Sequence, residues 1–351
     1  MSIPDHFKDC NEIIIIKLSS LGDVIHTLPA YSALRKFFHQ KKITWVVEKK
    51  AKQILDLVPS LDRIIAVDIK NKPLLSRKFW SSINELKSSI KNQRSLSIDF
   101  QGLIKSGLIC YLSHAQHRIG FHKKNLKEPM ASYFYTDHSN LVSEQIHVIQ
   151  KNMRLLSALK IKENKWEFPI HISDKLIHST LDKMKNNGIH INQNAVIFNI
   201  GGAWETKRWF SDYWIQLIRV LDLTDFSPLI LWGTPEEKNI AKKISKKTGV
   251  KITPFLSIKE VLALIKQSIL VVSGDSFPLQ AACALSTPVV GLFGPTNPGR
   301  NGPFNKRDKI AFHKINCSYC YKHKCSKLDC MKKIKPDEVA RLCNETLCQP
   351  I

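Results

Sequence analysis

Apolar residues in this chain gather in short unbroken runs, and amphipathic stretches separate them. Ile13-Ile14-Ile15-Ile16 is far too short to span a membrane, and its lack of alternation predicts a strand buried on both faces of a parallel sheet. Similar runs predict strands at Glu12–Lys17, Ile43–Val47, Ile64–Val67 and Leu96–Asp99, then at Ala195–Ile200, Pro228–Trp232, Leu270–Ser273 and Val289–Phe293. Helical spacing falls between them, as in Pro29–Phe38 and Ser81–Lys91. Val24, Leu28, Tyr31, Leu34 and Phe38 share one helical side, and Lys335–Leu347 begins on Pro336, Asp337 and Glu338 as a terminal helix does. Strands alternating with helices predict an α/β protein with parallel sheets and right-handed crossovers.

Length divides the pattern in two. A chain of 351 residues is long enough for two domains with separate cores. The polar stretch from about Asn164 to Asn194 is the natural junction, which predicts units at 1–175 and 176–334 followed by a terminal helix at 335–351. Hydrophobic residues make up 43% and charged residues 24%, the balance of a soluble globular protein. With no signal-like segment, a cytoplasmic location is expected. The formal net charge of +23 favours an anionic partner, whether nucleic acid, acidic lipid or a phosphorylated small molecule. Lysine is scattered, as at Lys49-Lys50, Lys123-Lys124 and Lys242 to Lys247, and no aromatic RNA-reading strand, zinc-finger spacing or arginine-rich arm accompanies it. That speaks against specific nucleic-acid recognition.

Four segments carry candidate chemistry. After the strand at Leu270–Ser273, Gly274-Asp275-Ser276 reads as a tight turn with an N-cap, and Pro278 opens a helix through Leu285. A helix starting where a strand ends aims free N–H groups and a positive dipole end above the sheet, which suits a phosphate; an ordinary capped turn has the same pattern. Near the N-terminus, Gly22 permits a turn and Asp23 stands at the carboxyl end of the first strand, the edge where open α/β sheets bind ligands. Asp23 is there either a helix cap or a reactive carboxylate. Gly201-Gly202 allows close backbone approach, with Lys207 or Arg208 available to a phosphate. Glu236 and Glu237 follow a strand end, where they either bind a ribose diol or are solvated surface acids.

Taken in order, these segments resemble one family. Lys17 to Pro29 resembles the KxSSxGDxxHTLP signature of the bacterial lipopolysaccharide heptosyltransferases, glycosyltransferase family 9. The loop Gly201 to Trp209 resembles its donor loop ending in K-x-W, and Ser273 to Ala282 with Leu292 to Pro298 resembles its donor-diphosphate motif. Asp99 to Ser106 and Lys127 to Tyr135 are similar to the acceptor domain of the heptosyltransferase I branch. The resemblance covers essentially the whole chain. It implies a GT-B fold of two Rossmann-like domains facing each other across a cleft, the N-terminal one for acceptor and the C-terminal one for an ADP-heptose donor. The implied reaction is transfer of L-glycero-D-manno-heptose to the Kdo of lipid A with inversion, with no cofactor required, at the inner leaflet of the cytoplasmic membrane. Heptosyltransferase II, or a member using another nucleotide-activated sugar, is the alternative within the family. A non-catalytic basic protein binding anionic glycolipid or nucleic acid is the alternative outside it.

Carried over residue by residue, Asp23 is the general base, and Gly202, Ala203, Lys207, Glu237, Asp275, Ser276, Phe277 and Gln280 belong to the donor side. Lys17, Ser19, Ser20, Gly22, Lys105 and Lys127 belong to the acceptor side, where Kdo carboxylates and lipid A phosphates need cations. Two departures stand out: Phe277 and Gln280 occupy positions that hold Gly and His in many members, and Gly202-Ala203 replaces hydroxyl residues. Gln280 keeps a donor in its amide. Apart from the family pattern, Cys317-x2-Cys320-x4-Cys325-x4-Cys330 has four thiols that could close a structural zinc or Fe–S site, with His313 and His323 nearby; a set of reduced thiols is the other reading. Cys10, Cys110, Cys283, Cys343 and Cys348 read as unpaired small apolar residues.

Overall fold

A computed structural model describes residues 7 and 9–348 apart from 70, 71, 75, 164, 192 and 193. Its contacts divide the chain into two units, Met1–His171 and Ile172–Ile351. The junction expected at 164–194 is therefore largely part of the second unit, and of its residues Asn164, Asn192 and Gln193 lie outside the described ones.

The first unit runs β1 (Glu12–Ile16), α1 (Leu21–Phe37), β2 (Lys42–Glu48), α2 (Lys49–Leu55), β3 (Arg63–Val67), α3 (Arg77–Ile90), β4 (Ser95–Asp99), α4 (Ile104–Leu112), β5 (His117–Gly120), β6 (Asp137–His138) and α5 (Val148–Leu155). Its strands form one parallel sheet in the order β3-β2-β1-β4-β5-β6. Ile13 to Ile16 are fully buried between β2 and β4, which is why that run is apolar on both faces. Reversal of direction on either side of β1 makes its carboxyl end the topological switch point, where such sheets bind ligands.

The second unit runs α6 (Asp174–Asn186), β7 (Ala195–Asn199), α7 (Ser211–Val220), β8 (Ser227–Leu231), α8 (Pro235–Thr248), β9 (Lys251–Ile252), α9 (Ile258–Lys266), β10 (Ser268–Gly274), α10 (Phe277–Ala284), β11 (Val289–Phe293), α11 (Pro298–Asn301), β12 (Lys309–Phe312), α12 (Asp329–Lys333) and α13 (Pro336–Leu347). The sheet order, β12-β11-β10-β7-β8-β9, repeats that of the first unit, with β7 and β10 flanking the switch point. The terminal helix α13 packs into this unit, burying Val339 and Cys343 in the same core as Val272 and Leu292. Among the described residues no helix is long and apolar enough to cross a membrane.

One expected element shifts, and four strands are new. The first helix, expected to carry Val24 to Phe38 with Asp23 as a candidate cap and Pro29–Phe38 as its clearest stretch, begins at Leu21, because Ser20 and Asp23 form a capping box that starts it; Pro29 then lies inside the helix, where burial of Val24 through Tyr31 offsets a missing N–H. Asp23 is consequently the third helical residue and not the cap, and Gly22 lies in the first helical turn. The short strands β5, β6, β9 and β12 have two to four residues, too few to show a period in sequence.

Candidate functional site

In the first unit the site is built on the loop from β1 to α1. Ser20 donates from both its backbone N and its Oγ to Asp23 Oδ2, each at 2.9 Å. Burial works against ionisation of Asp23, but Lys17, His26 and the two Ser20 hydrogen bonds outweigh it and hold the carboxyl below its usual range. The half-buried carboxylate is thus kept charged. Lys17 is itself buried and donates from Nζ to the Phe100 carbonyl at 2.9 Å, so its charge supports the loop from below.

The loop after β4 braces this turn. Gln101 Oε1 accepts from the backbone N of Leu18 at 3.2 Å and of Ser19 at 3.1 Å. Gln101 is aimed in turn by Asp99, which is fully buried and accepts from Gln101 N, Gly102 N, Ser106 Oγ and Tyr135 Oη at 2.7–3.1 Å. Burial pushes the Asp99 carboxyl up against the pull of those donors. Gly102 has φ +70°, a left-handed turn that a side chain would strain. Lys105 donates to the Ile69 and Lys72 carbonyls at 3.1 and 2.6 Å, tying the loop after β3, while Lys127 is exposed. Asp99 and Gln101 belong to the stretch Asp99 to Ser106, in which the sequence assigns a role to Lys105 alone. Their signal was an acid and an amide at a strand end, and only the tertiary contacts show whom they hold.

In the second unit three strand ends meet. Lys207 Nζ donates to Asp275 Oδ2 at 2.7 Å and lies 4.1 Å from the Trp204 ring centroid. Asp275 therefore caps nothing; it is buried and paired. Ser276 occupies the N-cap of α10, but its Oγ lies 3.0 Å from both Asn199 Nδ2 and Ser273 Oγ and makes no cap bond. The first bond inside α10 is Gln280 N to the Ser276 carbonyl, so the N–H groups of Phe277 and Leu279 have no partner within the helix. Gly274 is required where it is: a Cβ there would come 2.5 Å from the Lys207 carbonyl oxygen. Gln280 is buried and donates from Nε2 to the Asn301 carbonyl at 2.7 Å, joining α10 to α11.

Glu236 and Glu237 part company. Glu236 is exposed, as a surface acid would be, whereas Glu237 is buried and accepts from Gly202 N at 3.0 Å and Gly233 N at 2.7 Å, with Arg208 3.7 Å away. One carboxylate so ties the loop after β7 to the loop after β8. Ala203 is exposed and Gly202 half-buried on the same loop, whose far end is anchored by Trp209 in the core.

The cysteine segment meets this site through residues between its thiols. His323 stacks on Trp204 at 4.0 Å between centroids, Thr206 Oγ1 donates to the Lys322 carbonyl at 2.6 Å, and Tyr321 N donates to the Pro295 carbonyl at 3.1 Å. His323, counted from sequence as a spare ligand, is thus an aromatic partner of the Gly201–Trp209 loop. All nine cysteines are free, and among the described residues no three His, Cys, Asp or Glu side chains are grouped to hold a metal ion. Cys317, Cys320, Cys325 and Cys330 as placed do not fit the zinc or Fe–S reading. Cys10, Cys110, Cys283 and Cys343 are buried as expected, but Cys348 is exposed at the end of α13.

The model of glycosyltransferase family 9 (heptosyltransferase) matches residues 83–331. Lipopolysaccharide heptosyltransferase 1 of Salmonella typhimurium is 29% identical over 304 residues, covering 84% of this chain and 92% of that protein. Escherichia coli heptosyltransferase WaaC, solved with ADP and with ADP-2-deoxy-2-fluoro heptose, superposes with TM-scores of 0.77 and 0.75 at 23% identity, covering 95% of this chain and 99% of that one. A family 9 glycosyl transferase from Veillonella parvula gives a TM-score of 0.81 at 21% identity, with 97% of each chain covered.

Proposed function

The chain belongs to glycosyltransferase family 9, the heptosyltransferases, and from that premise we propose that it transfers L-glycero-D-manno-heptose from ADP-heptose to the Kdo of lipid A. The observation that carries the reading is the Asp23 carboxylate, kept ionised at the switch point of the first sheet by Ser20, Lys17 and His26. A binding module has no use for a charged acid set there, and a transferase needs one. In this reading the first unit takes the acceptor, with Ser19, Ser20, Gly22, Lys105 and Lys127 around it.

Asp23 accepts the proton of the acceptor hydroxyl as that oxygen bonds to the anomeric carbon. The bond from that carbon to the diphosphate oxygen breaks on the opposite face, inverting the centre, and ADP departs with the electron pair. Lys207 and the open N–H groups at the start of α10 meet the charge that gathers on the diphosphate. Asp275 holds Lys207 in place until a phosphate competes for it, Ser276 adds a hydroxyl, and Glu237 has acceptor capacity left for the nucleoside. Phe277 and Gln280 shape and support the α10 end. No step runs through a metal.

The membrane-borne acceptor puts the enzyme at the cytoplasmic membrane face as a peripheral protein, and the scattered lysines suit that anionic surface. Incubating purified protein with ADP-heptose and Kdo-lipid A, and following both ADP release and the mass of the lipid, tests the reading. One heptose added to the lipid with stoichiometric ADP is the expected result. ADP release only from a different nucleotide sugar, or no transfer to this acceptor, overturns it.

A further inference from the structure

The outer face of α4 and the two-turn 3-10 helix at Pro129–Phe134 expose apolar residues that the fold itself does not use. On α4, Ser106, Gly107, Ile109 and Cys110 are buried, while Ile104, Leu108, Tyr111 and Leu112 share the opposite side at helical spacing. Tyr111 is 53% exposed, and beside it Met130 and Tyr133 are 62% and 71% exposed. Residues three apart in a 3-10 turn eclipse, so Met130 and Tyr133 project together. The two surfaces are continuous: the Tyr111 and Phe134 rings lie 6.1 Å apart, and Gly107 is so close to Phe134 that a Cβ would come within 2.7 Å.

Cations frame this patch. Arg118 lies 5.7 Å from the Tyr111 ring centroid and Lys123 lies 5.2 Å from that of Tyr133, with Lys124 and Lys127 exposed nearby. Residues 100–135 carry five Lys or Arg and one acid, Glu128, whose carboxylate is engaged by the Ile104 N–H at 2.7 Å. We propose that Tyr111, Met130 and Tyr133, framed by Arg118, Lys123 and Lys124, form the face on which this protein lies against an anionic phospholipid bilayer. An exposed apolar patch calls for a partner. Aromatic rings with an apolar body beside cations suit the level of lipid headgroups, where the rings enter the interface and the cations meet phosphate. A protein partner of ordinary composition would leave the cationic frame without matching charge.

The inference rests on the proposed function for its lipid-borne acceptor, but its measurement needs no catalysis. Flotation of the full chain with vesicles of phosphatidylglycerol and phosphatidylcholine should show binding that vesicles of phosphatidylcholine alone do not support. Met130→Ser with Tyr133→Ser should weaken that binding about tenfold, as should Lys123→Ala with Lys124→Ala, with melting temperature and ADP affinity unchanged. Equal flotation of the variants and the wild type overturns the assignment of this face, as does equal binding to neutral vesicles. A wild-type dimer that Met130→Ser with Tyr133→Ser converts to monomer would instead assign the patch to self-association and overturn the proposal. Failure of the proposed reaction looks different: flotation persists while no heptose is transferred to detergent-dispersed acceptor.

Discussion

In the proposed reaction two side chains, Asp23 and Lys207, carry the chemistry, and each is poised by a neighbour. Asp23→Asn keeps the shape of the acid and removes its basicity, so turnover should fall by about two to four orders of magnitude while ADP affinity, measured by calorimetry, stays near wild type. The depressed carboxyl adds a pH signature. Its ordinary value is 3.8, and in the fold it lies lower, so the charged form persists through the neutral and mildly acidic range. Stability from its partners is therefore present above 3.8 and lost only as pH falls below it. An acid limb in kcat/KM near neutrality must then belong to another group, and it should survive unchanged in Asp23→Asn. Lys207→Ala removes the cation and leaves Asp275 buried without it, so ADP binding and transfer should weaken together. Calorimetry with ADP checks the first and single-turnover kinetics the second.

Between strands, position is set by loops holding loops. Gln101 at the end of β4 fixes the β1–α1 turn through a single carbonyl oxygen that serves two N–H groups. Gln101→Ala should lower kcat about tenfold or more with ADP affinity unchanged, because the turn carrying Asp23 is no longer held to its geometry. Gln101→Glu retains the oxygen and should recover most of the loss, which a general loss of stability would not. The corresponding tie in the second unit is the His323–Trp204 stack, which presses the cysteine segment onto the loop that bears Lys207. His323→Ala should raise the Kd for ADP several-fold with little effect on the melting temperature, since a half-exposed stack contributes about 0.5–1.5 kcal/mol. Equal affinity in titration calorimetry would show that the segment does not position the Gly201–Trp209 loop for ADP.

Across the folded chain, the nine thiols report on packing. Cys10, Cys110, Cys283, Cys330 and Cys343 are buried, and burial raises the Cys343 thiol to about 12. Cys317, Cys320, Cys325 and Cys348 are exposed, and backbone N–H groups of Leu328 and Lys327 lower the Cys325 thiol. Thiol labelling at mildly alkaline pH should therefore modify four cysteines before unfolding, Cys325 first because more of it is thiolate, and the other five only in denaturant. Mass mapping of the labelled peptides reads the order. Rapid labelling of Cys283 or Cys110 in native protein would contradict the packing of α10 or α4.

Apolar runs determined the strands, because a strand buried on both faces must be apolar throughout, and the runs Ile13–Ile16 and Ala195–Phe198 therefore announced the centres of two sheets. Ordered motifs at strand ends likewise marked Asp23, Lys207 and Asp275, since turn and capping chemistry is local. What local pattern does not carry is partnership across long sequence separations. Ser20 beside Asp23 was readable as neighbours, yet Gln101 bracing Ser19 from 82 residues away was not. Lys207 and Asp275 were each marked, but only the fold made them a pair across 68 residues. The four cysteines show the converse: spacing left a metal centre or a set of reduced thiols open, and only the fold shows that among the described residues no three ligand side chains are grouped to hold a metal ion, while Tyr321 and His323 pack toward Pro295 and Trp204. Hydrogen bonds and side-chain clusters are satisfied in three dimensions, so their partners are chosen by the folded sheet and not by the period of the chain.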